Sequence, residues 1–252
     1  MKRVLITGAT SGIGLSLAKH YAANGHLVYA CGRNEQALNQ LVIEHHNITP
    51  LVFDITDKAQ VTAAAKQVED LDILILNAGD CRYIDDPVHF DDQLFDHIID
   101  VNLKSMATML SRFLPILTTA KTNASINNKE NRQVVFVSSS ASLVPFPKAQ
   151  AYGASKAGVD YLARSLAVDL AKHHIDVTLV HPGFIKTPLT DKNDFDMPFL
   201  ISSEQAAHRI YQGVAKHKSY LHFPKRLTCF LHLFSLLPTA WWQAIAASRL
   251  SK

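Results

Sequence analysis

The feature that most restricts the fold of this chain is a regular alternation of short apolar runs with longer segments of helical spacing. The apolar runs are rich in Val, Ile and Leu, and they lie at 4–6, 27–31, 51–53, 73–76, 134–137 and 177–180. Such runs are typical of parallel strands buried on both faces. The helical segments lie at about 13–24, 34–46, 57–68, 92–117 and 152–173. This alternation predicts an α/β fold, a doubly wound and mostly parallel sheet with helices on both faces in three layers.

A glycine-rich turn follows the first run and leads into a helical pattern; its sequence is Thr7-Gly8-Ala9-Thr10-Ser11-Gly12-Ile13-Gly14. Gly8 permits a tight turn, Gly12 lets the backbone approach a pyrophosphate, and Gly14 allows the helix to pack closely on the strand. The free N–H groups at the start of the helix favour an anion. A strand–helix turn with incidental glycines is the alternative, but the position after the first strand favours dinucleotide binding.

Further motifs occur in a fixed order along the chain. They are Asp54 after the third strand, Asn77-Ala78-Gly79 after the fourth, Asn102 in Asp100-Val101-Asn102-Leu103, Ser139 thirteen residues before Tyr152, the pair Tyr152-x-x-x-Lys156, Pro182-Gly183 after the sixth strand, and Thr187. With the spacing Gly-x-x-x-Gly-x-Gly, these motifs resemble those of the short-chain dehydrogenase/reductase family over residues 3 to about 190. The resemblance implies a Rossmann-type fold and a carbonyl–alcohol oxidoreductase that uses a nicotinamide cofactor.

The resemblance also implies which residues form the site. The catalytic set would be Asn102, Ser139, Tyr152 and Lys156. The cofactor contacts would be Gly8, Thr10, Ser11, Gly12, Ile13, Gly14, Arg33, Asn34, Asp54, Ile55, Asn77, Ala78, Gly79, Tyr152, Lys156, Pro182, Gly183, Ile185 and Thr187. Asn102 would anchor a water that links Lys156 to solvent.

Elementary chemistry supports the role of Tyr152 as a general acid and base. Tyr152 and Lys156 are four residues apart on a predicted helix and therefore share a face. A free Tyr, with a pKa near ~10, is a poor proton donor or acceptor at neutral pH, and a nearby ammonium lowers that pKa. Ser139 would hold the substrate oxygen near the Tyr152 hydroxyl. The same spacing is common on ordinary amphipathic helices, so the prediction depends on the whole set of motifs.

The end of the second strand indicates the cofactor. Dehydrogenases that use NAD have an acidic residue there, which binds the ribose hydroxyls. Here Gly32 takes that position and Arg33 follows, which suits a 2′-phosphate. We therefore predict NADP(H), with NAD(H) less favoured. The alternative is that Arg33 simply begins a solvent-exposed loop. Some NADP enzymes carry a basic residue at the position of Ser11, and its absence here weakens the prediction of NADP(H).

The C-terminal part departs from the family pattern. Many members end in a strand followed by Asp-Gly-Gly, and this chain is predicted to lack that ending. Residues 203–252 contain seven Lys/Arg and one acid, Glu204, and residues 227–237 are apolar nearly all round a helix. We divide the chain into a Rossmann-type domain, 1–224, and an extension, 225–252, expected to be buried against something. It would cap the pocket or form a dimer contact, lie in a membrane interface, or complete the core.

Composition narrows the remaining possibilities. The net charge of +3 gives no indication of a nucleic-acid partner, and no apolar run reaches the ~20 residues of a membrane span. No secretory leader and no metal site are expected from the sequence pattern. We predict a cytoplasmic homo-oligomer, dimer or tetramer, acting on a small carbonyl or alcohol, with peripheral contact to the inner face of a membrane through 225–250 as an option. A non-catalytic NADP(H) sensor or scaffold, or a membrane-surface reductase of a lipidic carbonyl, are the alternative functions.

Overall fold

A computed structural model of the chain describes residues 1–118, 131–193 and 196–250. Seven strands form one parallel sheet in the order β3-β2-β1-β4-β5-β6-β9. They are β1 (Arg3–Thr7), β2 (Leu27–Gly32), β3 (Ile48–Val52), β4 (Ile73–Leu76), β5 (Arg132–Val137), β6 (Ile175–Pro182) and β9 (Tyr220–Phe223). A separate two-stranded ladder pairs β7 (Ile185–Lys186) with β8 (Ile201–Ser202). The predicted doubly wound α/β fold is confirmed.

The helices cover both faces of the sheet. They are α1 (Gly12–Ala23), α2 (Glu35–Glu44), α3 (Lys58–Ala65), α4 (Asp92–Ile99), α5 (Ser105–Thr118), α6 (Gln150–Ala171), α7 (Ser203–Ala215), α8 (Lys225–Ser235) and α9 (Thr239–Leu250). Alternate residues of β1 serve two cores: Val4 and Ile6 pack in the one that contains α1 and α7, and Leu5 packs in the one that contains α5 and α6. This alternation explains why the central strands are apolar at every position.

Short polar side chains begin several helices. Asn34 Oδ1 accepts from the Ala37 N–H at 3.1 Å at the start of α2, and Asp57 and Asp91 cap α3 and α4 in the same way. Ser202 and Gln205 form a reciprocal capping box at the start of α7. Each cap satisfies N–H groups that the helix itself leaves free.

Two elements differ from the sequence prediction. The helix expected at 92–117 is divided, because a π-helical turn at Asp100–Lys104 separates α4 from α5. The second is β9, which the six apolar runs do not include; it pairs in parallel with β6 and is followed by Pro224 and Lys225, so the chain lacks Asp-Gly-Gly there. The polar loop predicted over 118–132 lies mostly outside the described residues, since 119–130 are not among them.

The C-terminal helices are only partly covered by the rest of the described chain. In α8, Thr228 and Leu231 are buried, whereas Leu233, and Leu236 directly after the helix, are 59% and 82% exposed. One side of the helix is therefore not covered by the rest of the described chain, and burial of that side against a partner or a membrane stays a prediction. α9 is held by Trp242, whose Nε1 donates to the Pro145 carbonyl at 2.6 Å. No described helix is long and apolar enough to cross a membrane.

Candidate active site

The sheet order reverses between β1 and β4, and a cleft of about 520 Å³ opens at the carboxyl ends of the strands there. Ligands of open α/β sheets bind at such a switch point. Most of the predicted cofactor residues line this cleft: Gly8, Thr10, Ser11, Gly12, Ile13, Arg33, Asp54, Ile55, Asn77, Ala78, Gly79, Tyr152, Lys156, Pro182, Gly183, Ile185 and Thr187. Ser139 lines it as well. The structure thus gathers residues that are up to 179 positions apart, from Gly8 to Thr187, in one cleft.

The glycine turn has the geometry that the sequence predicts. Gly8 and Gly12 have φ angles of +68° and +53°, which side chains other than glycine rarely adopt. A Cβ on Gly14 would overlap the Gly8 carbonyl oxygen and come within 2.6 Å of Asn77 Nδ2. Gly14 therefore supports the turn from beneath, which is why it does not line the cleft. Gly8 and Gly12 both line the cleft, so a pyrophosphate bound there would lie against the start of α1.

Asn77 joins the two central strands at the edge of the cleft. Its Nδ2 donates to the Thr7 carbonyl at 2.9 Å, and its backbone N–H donates to Thr7 Oγ1 at 2.9 Å. The Ala78 N–H donates to the same hydroxyl at 3.0 Å. These contacts fix the turn after β4 against the turn after β1, so the floor of the cleft is rigid.

Asn102 lies behind the cleft, fully buried in the π-helical turn. Its Oδ1 accepts from the Asp80 N–H at 2.8 Å, and its Nδ2 donates to the Asp80 carbonyl and to Ser155 Oγ, each at 2.9 Å. A Cβ on Gly79 would lie 3.0 Å from Asn102 Oδ1 and 3.5 Å from Lys156 Nζ. The Asn102 side chain thus joins the loop after β4 to helix α6, next to Lys156, and does not itself reach the cleft wall.

Ser139, Tyr152 and Lys156 meet at one end of the cleft. The Ser139 side chain hydrogen bonds to the Tyr152 hydroxyl, and Lys156 Nζ lies 5.7 Å from the centroid of the Tyr152 ring. Lys156 Nζ donates to the Val137 carbonyl at 3.1 Å. The three side chains come from the end of β5 and from one face of α6, as their spacing predicts.

The pKa values of these groups differ from the simple expectation that Lys156 lowers the pKa of Tyr152. Burial raises the pKa of the Tyr152 hydroxyl, and the Cys81 thiolate would raise it further, while only the hydrogen bond from Ser139 acts in the opposite direction. Burial also lowers the pKa of Lys156 from 10.5 to about 8. The expected effect is therefore not seen in the protein alone, because the loss of hydration on burial raises the pKa of the phenol.

Arg33 and Asp54 stand together at the opposite end of the cleft. Arg33 Nη1 lies 3.5 Å from Asp54 Oδ2, and the Arg33 side chain is 77% exposed. Gly32 packs on Thr10, since a Cβ at Gly32 would approach Thr10 Cγ2 to 2.6 Å. Asn34, predicted to contact the cofactor, is not part of the cleft lining, because its side chain caps α2.

Sequence reasoning missed a polar cluster beside the catalytic set. Asp80 Oδ2 lies 2.9 Å from Arg82 Nε and 3.0 Å from His97 Nε2, and all three line the cleft, as do Thr190 and Lys192. Asp80 comes directly after Asn77-Ala78-Gly79, so its place at a strand end was a usable signal. His97 offered none, because the packing of α4 brings it to Asp80.

Among the described residues, no group of three or more His, Cys, Asp or Glu side chains is arranged to hold a metal ion. Two positive φ glycines, a turn that excludes a side chain at Gly14, and the row of polar groups from Arg33 to Lys156 fit an elongated ligand with a central anionic part. The cleft therefore suits a nicotinamide dinucleotide.

Comparison with known proteins agrees with this geometry. The family model described as short chain dehydrogenase matches residues 2–197. An uncharacterized oxidoreductase of Myxococcus xanthus is 32% identical over 97% of this chain and 96% of its own. The crystal structure of 3-ketoacyl-(acyl-carrier-protein) reductase from Brucella melitensis complexed with NADH superimposes with a TM-score of 0.78, at 25% identity, over 88% of this chain and 96% of that one. A short chain dehydrogenase from Burkholderia cenocepacia in complex with NADP has the same fold, with a TM-score of 0.78 at 24% identity over 94% and 98% of the two chains.

Proposed function

The chain belongs to the short-chain dehydrogenase/reductase family and is an oxidoreductase of that family, and from this premise we propose that it interconverts a carbonyl and an alcohol with NADP(H). The observation that carries the proposal is the meeting of Ser139, Tyr152 and Lys156 in the same cleft that the glycine turn lines. A bound nicotinamide dinucleotide would supply or accept the hydride and, when oxidised, add a positive charge beside the phenol.

Tyr152 would move the proton. In carbonyl reduction its hydroxyl protonates the substrate oxygen, and in alcohol oxidation the phenolate takes the proton back. Ser139, which hydrogen bonds to Tyr152, would hold the same oxygen. Lys156 would stabilise the phenolate across the 5.7 Å that separate its Nζ from the ring, provided that Lys156 is itself charged.

The experiment that tests this function combines a panel of carbonyl compounds with one conservative variant. Tyr152→Phe should lower turnover by about 10³-fold or more, because general acid–base catalysis contributes about 10²–10⁴. Binding of NADPH, followed by fluorescence titration, should stay within about twofold of wild type. Tyr161→Phe is the matched control, since Tyr161 lies on the same helix and is 80% exposed. Wild-type turnover in Tyr152→Phe would rule out the mechanism, and tight NADPH binding without turnover of any compound would favour a sensor or scaffold.

The preference for NADP(H) rests on Arg33 and Gly32. An exposed guanidinium next to a residue with no acidic side chain suits a 2′-phosphate. Arg33→Ala should raise the KM for NADPH by about tenfold, which corresponds to the ~1.4 kcal/mol of one lost charged hydrogen bond. The KM for NADH should change little, and equal changes for the two cofactors would refute the assignment of Arg33 to the phosphate.

A second proposal concerns the extension 225–252, which we take to attach the enzyme to an anionic membrane surface. Phe230, Leu233 and Leu236 are exposed along one side of α8, and Trp241 is 62% exposed at the start of α9. An apolar helix face flanked by basic residues and Trp is typical of interfacial helices. Attachment of this kind would present lipidic carbonyl compounds to the cleft.

Charge distinguishes a lipid surface from a second copy of the chain. Residues 205–252 contain seven Lys/Arg and no Asp or Glu. A second copy of this segment would bring the same excess of positive charge, whereas anionic headgroups would attract it. Tyr161 and Val168, which are exposed one above the other on α6, give a separate apolar surface for the homo-oligomer that we expect in the cytoplasm.

Sedimentation with vesicles tests the attachment. Phosphatidylcholine vesicles containing phosphatidylglycerol should bind the wild type, and pure phosphatidylcholine should bind it less. Leu233→Ser/Leu236→Ser should abolish most of the binding, whereas Ile43→Ser, at an exposed position of α2, should not. Unchanged sedimentation of the double variant, or a dimer that only this variant loses, would contradict membrane attachment.

A further inference from the structure

A chain of polar side chains runs behind Lys156, away from the cleft. Asp160 follows Lys156 by one turn of α6 and is only 8% exposed. Ser138 Oγ donates to Asp160 Oδ1 at 2.5 Å and lies 3.2 Å from the Lys156 carbonyl oxygen. His181, fully buried on β6, places its Nε2 2.9 Å from Asp160 Oδ1. A buried carboxylate is thus held by two partners beside the helical turn that carries Lys156.

This chain of polar side chains continues to the C-terminal helices. The Tyr220 hydroxyl on β9 lies 2.8 Å from His181 Nδ1 and 2.6 Å from His232 Nε2 on α8. The His181 ring also meets the Tyr220 ring edge-on, with centroids 5.1 Å apart. Four side chains from four elements therefore connect α6 with α8 through hydrogen bonds.

The number of protons limits what this chain of side chains can do. The Tyr220 hydroxyl has one proton, so it donates either to His181 or to His232. If it donates to His181 Nδ1, His181 is neutral, its Nε2–H faces Asp160, and the pair carries one negative charge. If it donates to His232, both ring nitrogens of His181 carry protons and the pair is neutral overall. The hydrogen bonds therefore determine the charge next to α6.

We propose that Asp160 is a positioning residue whose negative charge keeps Lys156 in its ammonium form, and that His181, Tyr220 and His232 hold Asp160 from the C-terminal side. A buried ammonium is costly unless a nearby opposite charge compensates for lost hydration. Burial lowers the pKa of Lys156 to about 8, and negative charge on Cys81, at the edge of the cleft, and on Asp160, behind it, acts against that decrease. Burial alone would raise the pKa of Asp160, but His181, Ser138 and Ser142 together outweigh it and keep the carboxyl ionised.

Other charged groups surround the carboxylate and define its environment. Lys156 and Arg164 flank Asp160 on α6, His181 faces it from β6, and Tyr220 and His232 follow from β9 and α8. Burial and the neighbouring His181 lower the pKa of His232, which favours its neutral form. A neutral His232 can donate its Nε2–H to Tyr220, and this arrangement leaves the negative charge on Asp160.

Side-chain NMR of protein labelled with ¹³C at lysine Cε tests the proposal directly. The Lys156 signal is assigned by its loss in Lys156→Arg, and its titration midpoint is measured in wild type and in Asp160→Asn. The midpoint should fall by about half a pH unit or more, because one opposite charge is removed. Asp160→Glu should restore it, and Asp169→Asn, an exposed acid on the same helix, should leave it unchanged.

A double variant that replaces both Asp160 and His181 keeps the proposal testable if the single variant misfolds. If Asp160→Asn does not fold, Asp160→Leu/His181→Leu replaces the pair by apolar groups, a change that proteins often tolerate. The Lys156 midpoint should fall in this variant too, and a midpoint equal to that of wild type would overturn the proposal. The role of Lys156 in catalysis rests on the proposed function, whereas its titration midpoint does not. Failure of the proposed function would therefore leave the effect of Asp160 on Lys156 intact, and the reverse also holds.

Discussion

The glycine turn after β1 and the C-terminal helices α8 and α9 both lie outside the strands of the sheet, yet they are packed in opposite ways. At the turn, a single added carbon on Gly14 would overlap backbone. On α8, whole side chains such as Leu233 and Leu236 face solvent. Contacts within the chain fix the conformation of the turn, whereas no such contacts from the described residues cover the exposed side of α8, which another molecule can cover. Substitutions in the two regions should therefore differ in both size and kind.

The largest effect is expected at Gly14. Gly14→Ala should cost about 3 kcal/mol or more of the free energy of unfolding, because neither the Gly8 carbonyl nor Asn77 can move away from the new Cβ. Affinity for NADPH should fall with it. Urea denaturation and cofactor titration measure the two effects. Gly153→Ala is the control, since a Cβ there lies 3.7 Å from its nearest neighbour, and a helical Ala should stabilise slightly. Equal stability of the two variants would show that the turn is looser than described.

A smaller but still clear difference is expected within α8 itself. Leu231→Ala should cost about 2 kcal/mol, because Leu231 is 3% exposed and its removal leaves a cavity. Leu233→Ala, two residues away and 59% exposed, should change stability by about 0.5 kcal/mol at most. Chemical denaturation of both variants tests the comparison. If Leu233→Ala destabilised the isolated protein as much as Leu231→Ala, the outer side of α8 would be covered in solution.

The same contrast explains what could be predicted from the sequence. Local spacing in the sequence predicts the strands, the glycine turn and the positions of Ser139, Tyr152 and Lys156. Continuous apolar runs and fixed offsets can be recognised without knowing how the side chains pack. The structure brings Asn102 near Lys156, but the bonds of Asn102 to Asp80 and Ser155 depend on a π-helical turn that no spacing rule indicates.

Other features depend on contacts between distant parts of the chain. The apolar pattern of 227–237 does not show which side is covered, since that depends on β9 and on Trp242. The prediction of a lowered Tyr152 pKa considered nearby positive charges and not burial, and in the protein alone burial raises that pKa. His181 gave no signal in the sequence, because its partners Asp160 and Tyr220 are 21 and 39 positions away.

An intermediate effect is expected where the two regions meet. Trp242→Ala should cost about 1 kcal/mol, because it removes the hydrogen bond to Pro145 and the ring contact with Phe146, whose centroid lies 5.4 Å away. Trp241→Ala, at the neighbouring exposed position, should cost less than about 0.5 kcal/mol. Thermal denaturation compares the two. Equal melting temperatures would mean that α9 is not attached to the loop between Ser139 and Tyr152.

The smallest effect, and the one that distinguishes the two regions by pH, is expected at His222. Its Nε2 lies 2.6 Å from Lys225 Nζ at the start of α8, and its Nδ1 lies 2.8 Å from Thr228 Oγ1. Burial, and then the charge of Lys225, lower the pKa of His222 from 6.5 to about 4. The folded state therefore holds His222 neutral, while the unfolded state protonates it near pH 6.5. Stability from this group is complete above pH 6.5 and is lost as the pH falls towards 4.

Lys225→Gln removes one cause of that pKa decrease and keeps the length of the side chain. The fall in melting temperature between pH 7 and pH 5 should become smaller than in wild type, by about 1 °C, because His222 is partly exposed and solvent screens the repulsion. Lys216→Gln, an exposed lysine at the end of α7, should leave the fall unchanged and so controls for net charge. Calorimetry at the two pH values measures the difference. If the melting temperature fell equally in both variants, Lys225 at the start of α8 would not affect the protonation of His222. The stability of α8 would then depend on pH no differently from that of the core.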